Sequence, residues 1–328
     1  MRIEVHTHYL PEPFRRRLRE WDMSVRIEDR DGMPFVVHTT GSFPLFPGFR
    51  DPEARVEWMD ENDIDYMLLS PSTPNPNEGP FSVEQSTELI QSINDGYADI
   101  QEEYPDRFGG LGPLPLRDPE AAVEELDRIV EMGLKGVMLP TTVRDRKLSD
   151  PELTPVFDKL EETGLPVFVH PGRNQLSQQL DDDEWIFTPM TVFPTETTHQ
   201  IARLIFDGFF DRHDDLDLVL SHMGGALTHL VGRLERGYDQ FRSDDESTPE
   251  RPISEYVEEF YYDTISFHPP AMQAAIDTVG SDRLLFGTDY PFGMENIEGT
   301  LDSIDALDLS ADEREAIMGG TAAELFDI

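Results

Sequence analysis

The sequence predicts a parallel (β/α)8 barrel, also called a TIM barrel. Three observations carry that expectation. Eight short apolar runs recur along the chain, amphipathic helix-like stretches separate them, and histidine or aspartate closes several runs. The runs are "IEVH" at 3–6, "YMLLS" at 66–70, "FGGLGPL" at 108–114, "GVMLP" at 136–140, "PVFVH" at 166–170, "LDLVLSH" at 216–222, "FYYDTI" at 260–265 and "LLFGTD" at 284–289. Their β-branched and aromatic content, bounded by Gly, Pro or Asp, suits buried strands. A doubly wound open sheet produces the same alternation, so periodicity alone leaves that alternative open.

The elements between the runs follow from local chemistry. Residues 15–50 fit neither repeat. There "VRIEDRDGMPFVVHTTG" reads as a β-hairpin turning at Asp31–Gly32, inserted after strand one and expected to cover one end of the barrel. Asp51 caps a helix with Pro52 at its first position; Asp118–Pro119 and Asp150–Pro151 repeat that start, and Gly133 and Gly164 end those helices. The stretch 71–80, "PSTPNPNEGP", is a Pro/Asn loop after strand two. With no internal repeat and no low-complexity linker, residues 1–328 read as a single domain.

Composition narrows the function classes. Hydrophobic residues make up 38%, enough for a core, while a mean hydropathy of -0.46 marks a very polar surface. No apolar run approaches the ~18 residues of a membrane span, and the first residues lack a signal-peptide pattern. A soluble cytoplasmic protein is expected. Cysteine is absent, which excludes disulfides, thiolate metal sites and cysteine nucleophiles. Acidic residues number 67 against 26 basic, for a net charge of -41. Lysine occurs only as Lys135, Lys147 and Lys159, and the acids are dispersed, as in "DDDE" at 181–184 and "DRHDDLD" at 211–217. Dispersed acid with scarce lysine fits a halophilic, salt-adapted cytoplasm, where self-repulsion is screened. The same charge repels nucleic acid and anionic membranes, so neither is an expected partner.

Polar residues fall at telling places on the strand pattern. His6 and His8 end strand one, His170 ends strand five, His222 ends strand six, and Asp289 follows strand eight. In a parallel barrel these are C-terminal ends, the face where such folds place their chemistry. Residues i and i+2 of an extended chain share a face, so the H-x-H pair can reach one cation. Taken alone, the pair reads equally well as two side chains near a chain end. With the later strand-end residues, ligation is the better reading. Histidine and carboxylate donors suit zinc, with manganese as the alternative, and leave a position for water or substrate.

At these residues the chain resembles the amidohydrolase-related family of metal-dependent barrels, in particular its aminocarboxymuconate-semialdehyde decarboxylase-like branch. The resemblance runs over nearly the whole chain, through "EVHTHYLP" (4–11), "DPEARVEWMDENDID" (51–65), "RFGGLGPLPL" (107–116), "GLPVFVHPG" (164–172), "FPTETT" (193–198), "LVLSHMGGALTHLVGRL" (218–234), "FYYDT" (260–264) and "RLLFGTDYPFG" (283–293). It implies metal ligation by His6, His8, His170 and Asp289, with His222 as general acid/base and Asp289 sharing in catalysis. It also implies a homodimer. Two-metal relatives carry a bridging lysine or glutamate after strand four; here that end is "VMLPTT", with Lys135 at the strand's other end, so one divalent ion is expected.

Two departures bear on substrate. Glu4 stands where the family start has aspartate; it could join or compete for the metal, as a glutamate in that vicinity does in some decarboxylase relatives, but a role behind the ligands or towards solvent is the preferred reading. The branch's substrate-carboxylate arginine in the inserted hairpin has no counterpart, since "PFVVHTTG" offers Val36 and His38, and Arg50 does not match that position. The implied activity is decarboxylation of a small aromatic or unsaturated carboxylic acid. Hydrolysis of an amide, ester or lactone on the same site is the alternative, hydratase chemistry comes third, and a non-catalytic binding protein is last. Arg173, His268, Phe292 and Trp185 are the candidate substrate contacts, with Phe187 beside Trp185 as part of an aromatic wall. His199 reads as structural, His213 and His229 as helix-surface residues, and "SHMGG" lacks the spacing and lysine of a phosphate loop.

Overall fold

The computed structural model describes residues 1–21, 23–38, 41–71, 73–172, 187–242 and 249–328. Its strands are β1 (Ile3–His8), β2 (Arg26–Arg30), β3 (Met33–His38), β4 (Gly41–Pro44), β5 (Tyr66–Ser70), β6 (Phe108–Pro113), β7 (Gly136–Pro140), β8 (Thr142–Val143), β9 (Arg146–Lys147), β10 (Val167–His170), β11 (Leu218–Leu220), β12 (Tyr261–Asp263) and β13 (Leu284–Leu285). Eight of them form one parallel sheet in the order β1-β5-β6-β7-β10-β11-β12-β13. Chain order and spatial order agree throughout, whereas a doubly wound sheet reverses at a switch point. Beyond β13 the chain runs on beside β1. Val5 N donates to Phe286 O (3.0 Å), Asp289 N to His6 O (2.9 Å) and His8 N to Tyr290 O (2.8 Å). These bonds bring the ring round to a barrel.

The eight barrel strands are buried on both faces along nearly their whole length, which is why the runs read as almost continuously apolar. Tyr66, Leu68, Leu111, Met138, Phe168, Val219 and Leu285 pack together, with Ala322 and Phe326 of the C-terminal segment against them. Their neighbours Met67, Leu69, Val137, Leu139, Val167, Val169, Leu218 and Leu220 belong instead to the larger core that includes the helices, for example Leu89, Leu126, Ile129 and Leu160. The alternation of the two sets along each strand is the two-residue period of extended backbone. No helix among the described residues is long and apolar enough to cross a membrane.

The caps act as expected, with one difference. Asp51 accepts from the amides of Glu53 and Ala54, and Asp118 from Ala121. Gly133 and Gly164 close their helices at φ 68° and 65°. Asp150, however, caps only a 3-10 turn at Pro151–Leu153, and the α-helix begins at Thr154. Pro155 has no N–H to donate and is tolerated only in a first turn, so the helix starts afresh there.

The insert after β1 is richer than a hairpin. A helix at Glu12–Glu20 comes first, and β2, β3 and β4 form a three-stranded antiparallel sheet. Arg30 pairs with Met33 across the two-residue turn, where Asp31 and Gly32 take φ 53° and 84°. Positive φ at both positions matches strand twist and is what Asp-Gly supplies. The short β4, "GSFP", lacks the alternation that marks longer strands. Substituting Gly32→Ala is expected to cost about 1 kcal/mol, because an L side chain resists that φ. The urea-unfolding midpoint should fall with an unchanged slope.

Candidate metal centre

The site is built where β1 departs from regular pairing. Glu4 pairs with Met67 and Thr7 with Leu69, so β1 carries one extra residue between them. Such a bulge re-aims side chains beside a site. His6 and His8 are both buried, with their Nε2 atoms 3.3 Å apart. The His170 ring centroid lies 5.1 Å from that of His6 and 4.9 Å from that of His8, and His222 lies 5.0 Å from His6 and 5.2 Å from His170. Asp289 Oδ1 is 3.1 Å from His8 Nε2 and 3.7 Å from His6 Nε2. All five strand-end residues singled out from the sequence therefore meet at one point.

The hydrogen-bond network assigns the tautomers. His6 Nδ1 donates to Asp263 Oδ2 at 2.6 Å, His8 Nδ1 to Pro71 O at 3.1 Å, and His170 Nδ1 to Pro171 O at 2.8 Å. Each imidazole then keeps its lone pair on Nε2. Two such lone pairs 3.3 Å apart repel unless a cation lies between them. Two nitrogens each ~2.1 Å from one tetrahedral ion would lie about 3.4 Å apart. The donors present thus fit a bound divalent ion. Their atoms fall into two overlapping ligand groups, His6–His8–Asp289 and His6–His170–His222.

Burial sets the charges. It pushes His8 and His170 down to about 3, the latter helped by the nearby His8. His6 and His222 are held well below the ordinary imidazole value by burial first and neighbouring histidines second. Neutral imidazoles are the ligating form. Burial also raises the Asp289 carboxyl to about 7.

Asp263 was not singled out as a site residue by sequence. Besides His6, it accepts the amides of His222 (2.8 Å), Met223 (2.9 Å) and Ile265 (3.0 Å). The signal was there in "FYYDT", an aspartate ending an aromatic strand. Glu4 stands outside both ligand groups and is turned to backbone amides. Its Oε1 accepts the amides of His6 (3.0 Å) and Thr288 (2.9 Å), and burial raises its carboxyl well above the usual range.

His222 and Asp289 both sit in the left-handed region, at φ 52° and 68°. Strain at non-glycine residues clusters at functional sites. His222 Nδ1 is buried with no hydrogen-bond partner among the described residues. The glycines of "SHMGG" serve close packing: a Cβ on Gly224 would lie 2.7 Å from the Tyr262 ring, and one on Gly225 2.1 Å from Pro194 O.

Aromatic rings wall the donors. Phe292 packs edge-on to His8 at 5.2 Å and is backed by Phe43 of β4 and by Phe49. Phe193, in "FPTETT", lies at 6.2 Å nearly parallel to His222. His268 is an exposed N-cap of the helix Pro269–Val279 and has no hydrogen bond or ring contact to the cluster among the described residues. Phe187 is 42% exposed. Arg173 and Trp185 lie outside the described residues. Lys135 is at the far end of β7, donating to Asp327 O. His199 and His229 are exposed, but His213 is not the surface residue expected from sequence. It is 3% exposed and bonds Glu161 at 2.9 Å, because the short helix Phe209–Arg212 ends against the helix Thr154–Thr163.

The amidohydrolase family model matches residues 3–328. The chain belongs to the amidohydrolase family. This amidohydrolase is 30% identical over 342 residues to 2-amino-3-carboxymuconate-6-semialdehyde decarboxylase of Dictyostelium discoideum, covering 100% of this chain and 92% of that one. It is 31% identical over 288 residues to gamma-resorcylate decarboxylase of Polaromonas sp., covering 84% of this chain and 87% of the relative. Among solved structures, dihydroxybenzoic acid decarboxylase from Polaromonas sp., with bound manganese and the inhibitor 2-nitroresorcinol, superimposes with a TM-score of 0.78 at 25% identity. The match covers 99% of this chain and 96% of that one.

Two outcomes are expected of this centre. Asp263→Asn should weaken metal affinity by roughly 10–100-fold, since the His6 ring loses its ionised acceptor and one of the two accepting oxygens becomes a donor; calorimetric titration with Zn2+ or Mn2+ reads this. Metal affinity should also depend on pH. Ligation by Asp289 would need its carboxylate form, and burial keeps the proton on that group up to about 7. Below that value affinity should fall about tenfold per pH unit, and above it should level off. Asp289→Asn should bind weakly and lose that slope.

Proposed function

We infer that this amidohydrolase is a metal-dependent decarboxylase of a small aromatic or unsaturated carboxylic acid, with residues 1–328 acting as one unit. The observation that carries the reading is the convergence of three Nε2 lone pairs and the Asp289 carboxylate on one point, in a chain whose relatives are decarboxylases. His6, His8, His170 and Asp289 would hold one divalent ion, and the imidazole-rich set favours zinc over the manganese found in the related structure. Bound there, the ion would supply Lewis-acid stabilisation of negative charge on a substrate oxygen.

The chain's own residues do the rest. Phe292 and Phe193 flank the donors and keep water from a planar acid lying between them. As the bond from ring or alkene carbon to carboxylate breaks, its electron pair stays on carbon and CO2 departs. A proton then forms the new C–H bond, relayed by His222 and Asp289. The buried Nδ1 of His222, which has no hydrogen-bond partner among the described residues, supports that role for this imidazole. The dispersed acid supports a salt-rich cytoplasm as the setting, and the family resemblance supports a homodimer.

The test is a panel of aromatic and unsaturated carboxylic acids assayed for CO2 release, beside matched esters and lactones, in high salt. Turnover is expected in the first panel, with one metal equivalent per chain by elemental analysis. Turnover confined to esters or lactones would assign a hydrolase instead. His222→Ala should stay folded and metal-loaded while kcat falls by roughly 10²–10⁴-fold. Normal turnover by that variant would remove His222 from the mechanism.

A further inference from the structure

Arg55 lies in the 51–65 motif, which the site chemistry leaves unused. Its side chain is fully buried, and among the described residues no carboxylate pairs with it. A cation taken out of water without a counter-ion is costly, so its surroundings must repay it through hydrogen bonds and ring faces. Nε donates to Gly48 O at 2.7 Å, Nη1 to Thr7 Oγ1 at 3.0 Å, and Nη2 to the carbonyl of His8. The guanidinium carbon lies 5.2 Å from the Tyr9 ring centroid and 5.0 Å from that of Tyr290.

Those partners belong to three segments at the rim of the site: the end of the insert, the C-terminal end of β1, and the chain after β13. Each carries a site residue within one position. Gly48 precedes Phe49, which backs Phe292; Thr7 and His8 lie on the donor strand; Tyr290 follows Asp289. Close approach is enforced, since a Cβ on Gly48 would sit 2.5 Å from Tyr290 Oη. Trp58, on the same helix as Arg55, stacks on Tyr290 at 3.9 Å. A planar fork of donors between two rings fixes directions that a lysine ammonium cannot.

We propose that Arg55 is a positioning residue for the metal centre, holding the His8 carbonyl and the Tyr290 ring so that His8 and Asp289 meet at one ion-sized point. The proposal rests on the metal-site reading and not on the identity of the substrate. It is tested by loading wild type, Arg55→Lys and Thr7→Val with Co2+ alone and recording affinity and the visible absorption band, which reports ligand geometry. Arg55→Lys is expected to shift the band and weaken Co2+ affinity about tenfold or more. It should lower kcat while changing KM by less than about twofold. An Arg55→Lys protein with lowered thermal stability but the wild-type band and affinity would overturn the proposal, leaving a packing role only. If Arg55→Lys does not fold, Thr7→Val decides: a shifted band supports the proposal and an unchanged one overturns it. Wild type that takes up no Co2+ would overturn the metal-site reading itself.

Discussion

One carboxylate organises the centre. Asp263 ends β12 and accepts four hydrogen bonds, from the His6 ring and from the amides of His222, Met223 and Ile265. It thereby ties β1 to the turn after β11. The His6 bond decides which nitrogen faces the centre, and the His222 amide bond holds a residue in left-handed backbone where its ring meets the other histidines. Burial raises the Asp263 carboxyl, and the His222 imidazole and the amide donors oppose that rise. Without this anchor the His6 imidazole would have no fixed tautomer, and the His222 backbone would lose the acceptor that holds it.

The arrangement trades stability for chemistry. Four histidines are kept neutral by burial, two of them with their acceptor nitrogens facing at 3.3 Å. Among the described residues His222 Nδ1 and Glu4 Oε2 are buried without partners, a situation that costs about 1–3 kcal/mol for each group. A cation shared by the facing nitrogens would relieve the first conflict. Glu4 Oε1, meanwhile, stitches β1 to the chain after β13 through the Thr288 amide.

Support for this centre comes from outside it. The aromatic set Phe43, Phe49 and Phe292 brings the insert down onto His8, and Arg55 ties the base of the same insert to β1. The insert is therefore part of the site's wall and of its scaffold. Its sheet needs the Asp31–Gly32 turn to fold back, so a local backbone preference far from the donors contributes to their enclosure.

Much of this was legible in the sequence because it is local. Two-sided burial wrote the barrel strands as apolar runs, Asp-Pro and Gly marked helix ends, and Asp31–Gly32 marked the hairpin turn. The position of His6, His8, His170, His222 and Asp289 at strand ends followed from the same periodicity once a parallel barrel was assumed. The closing of the barrel, the β1 bulge and the tautomers did not follow, because they depend on hydrogen bonds between residues as far apart as His6 and Asp263. Nor did the burial of His213, which a neighbouring helix covers, or the third insert strand, too short to show a period. Sequence by itself determined which residue types stand at the ends of which strands. Tertiary structure alone decided which nitrogen of each histidine faces the centre, and that Asp263 and Arg55 hold them there, since direction and partner exist only after distant segments have packed.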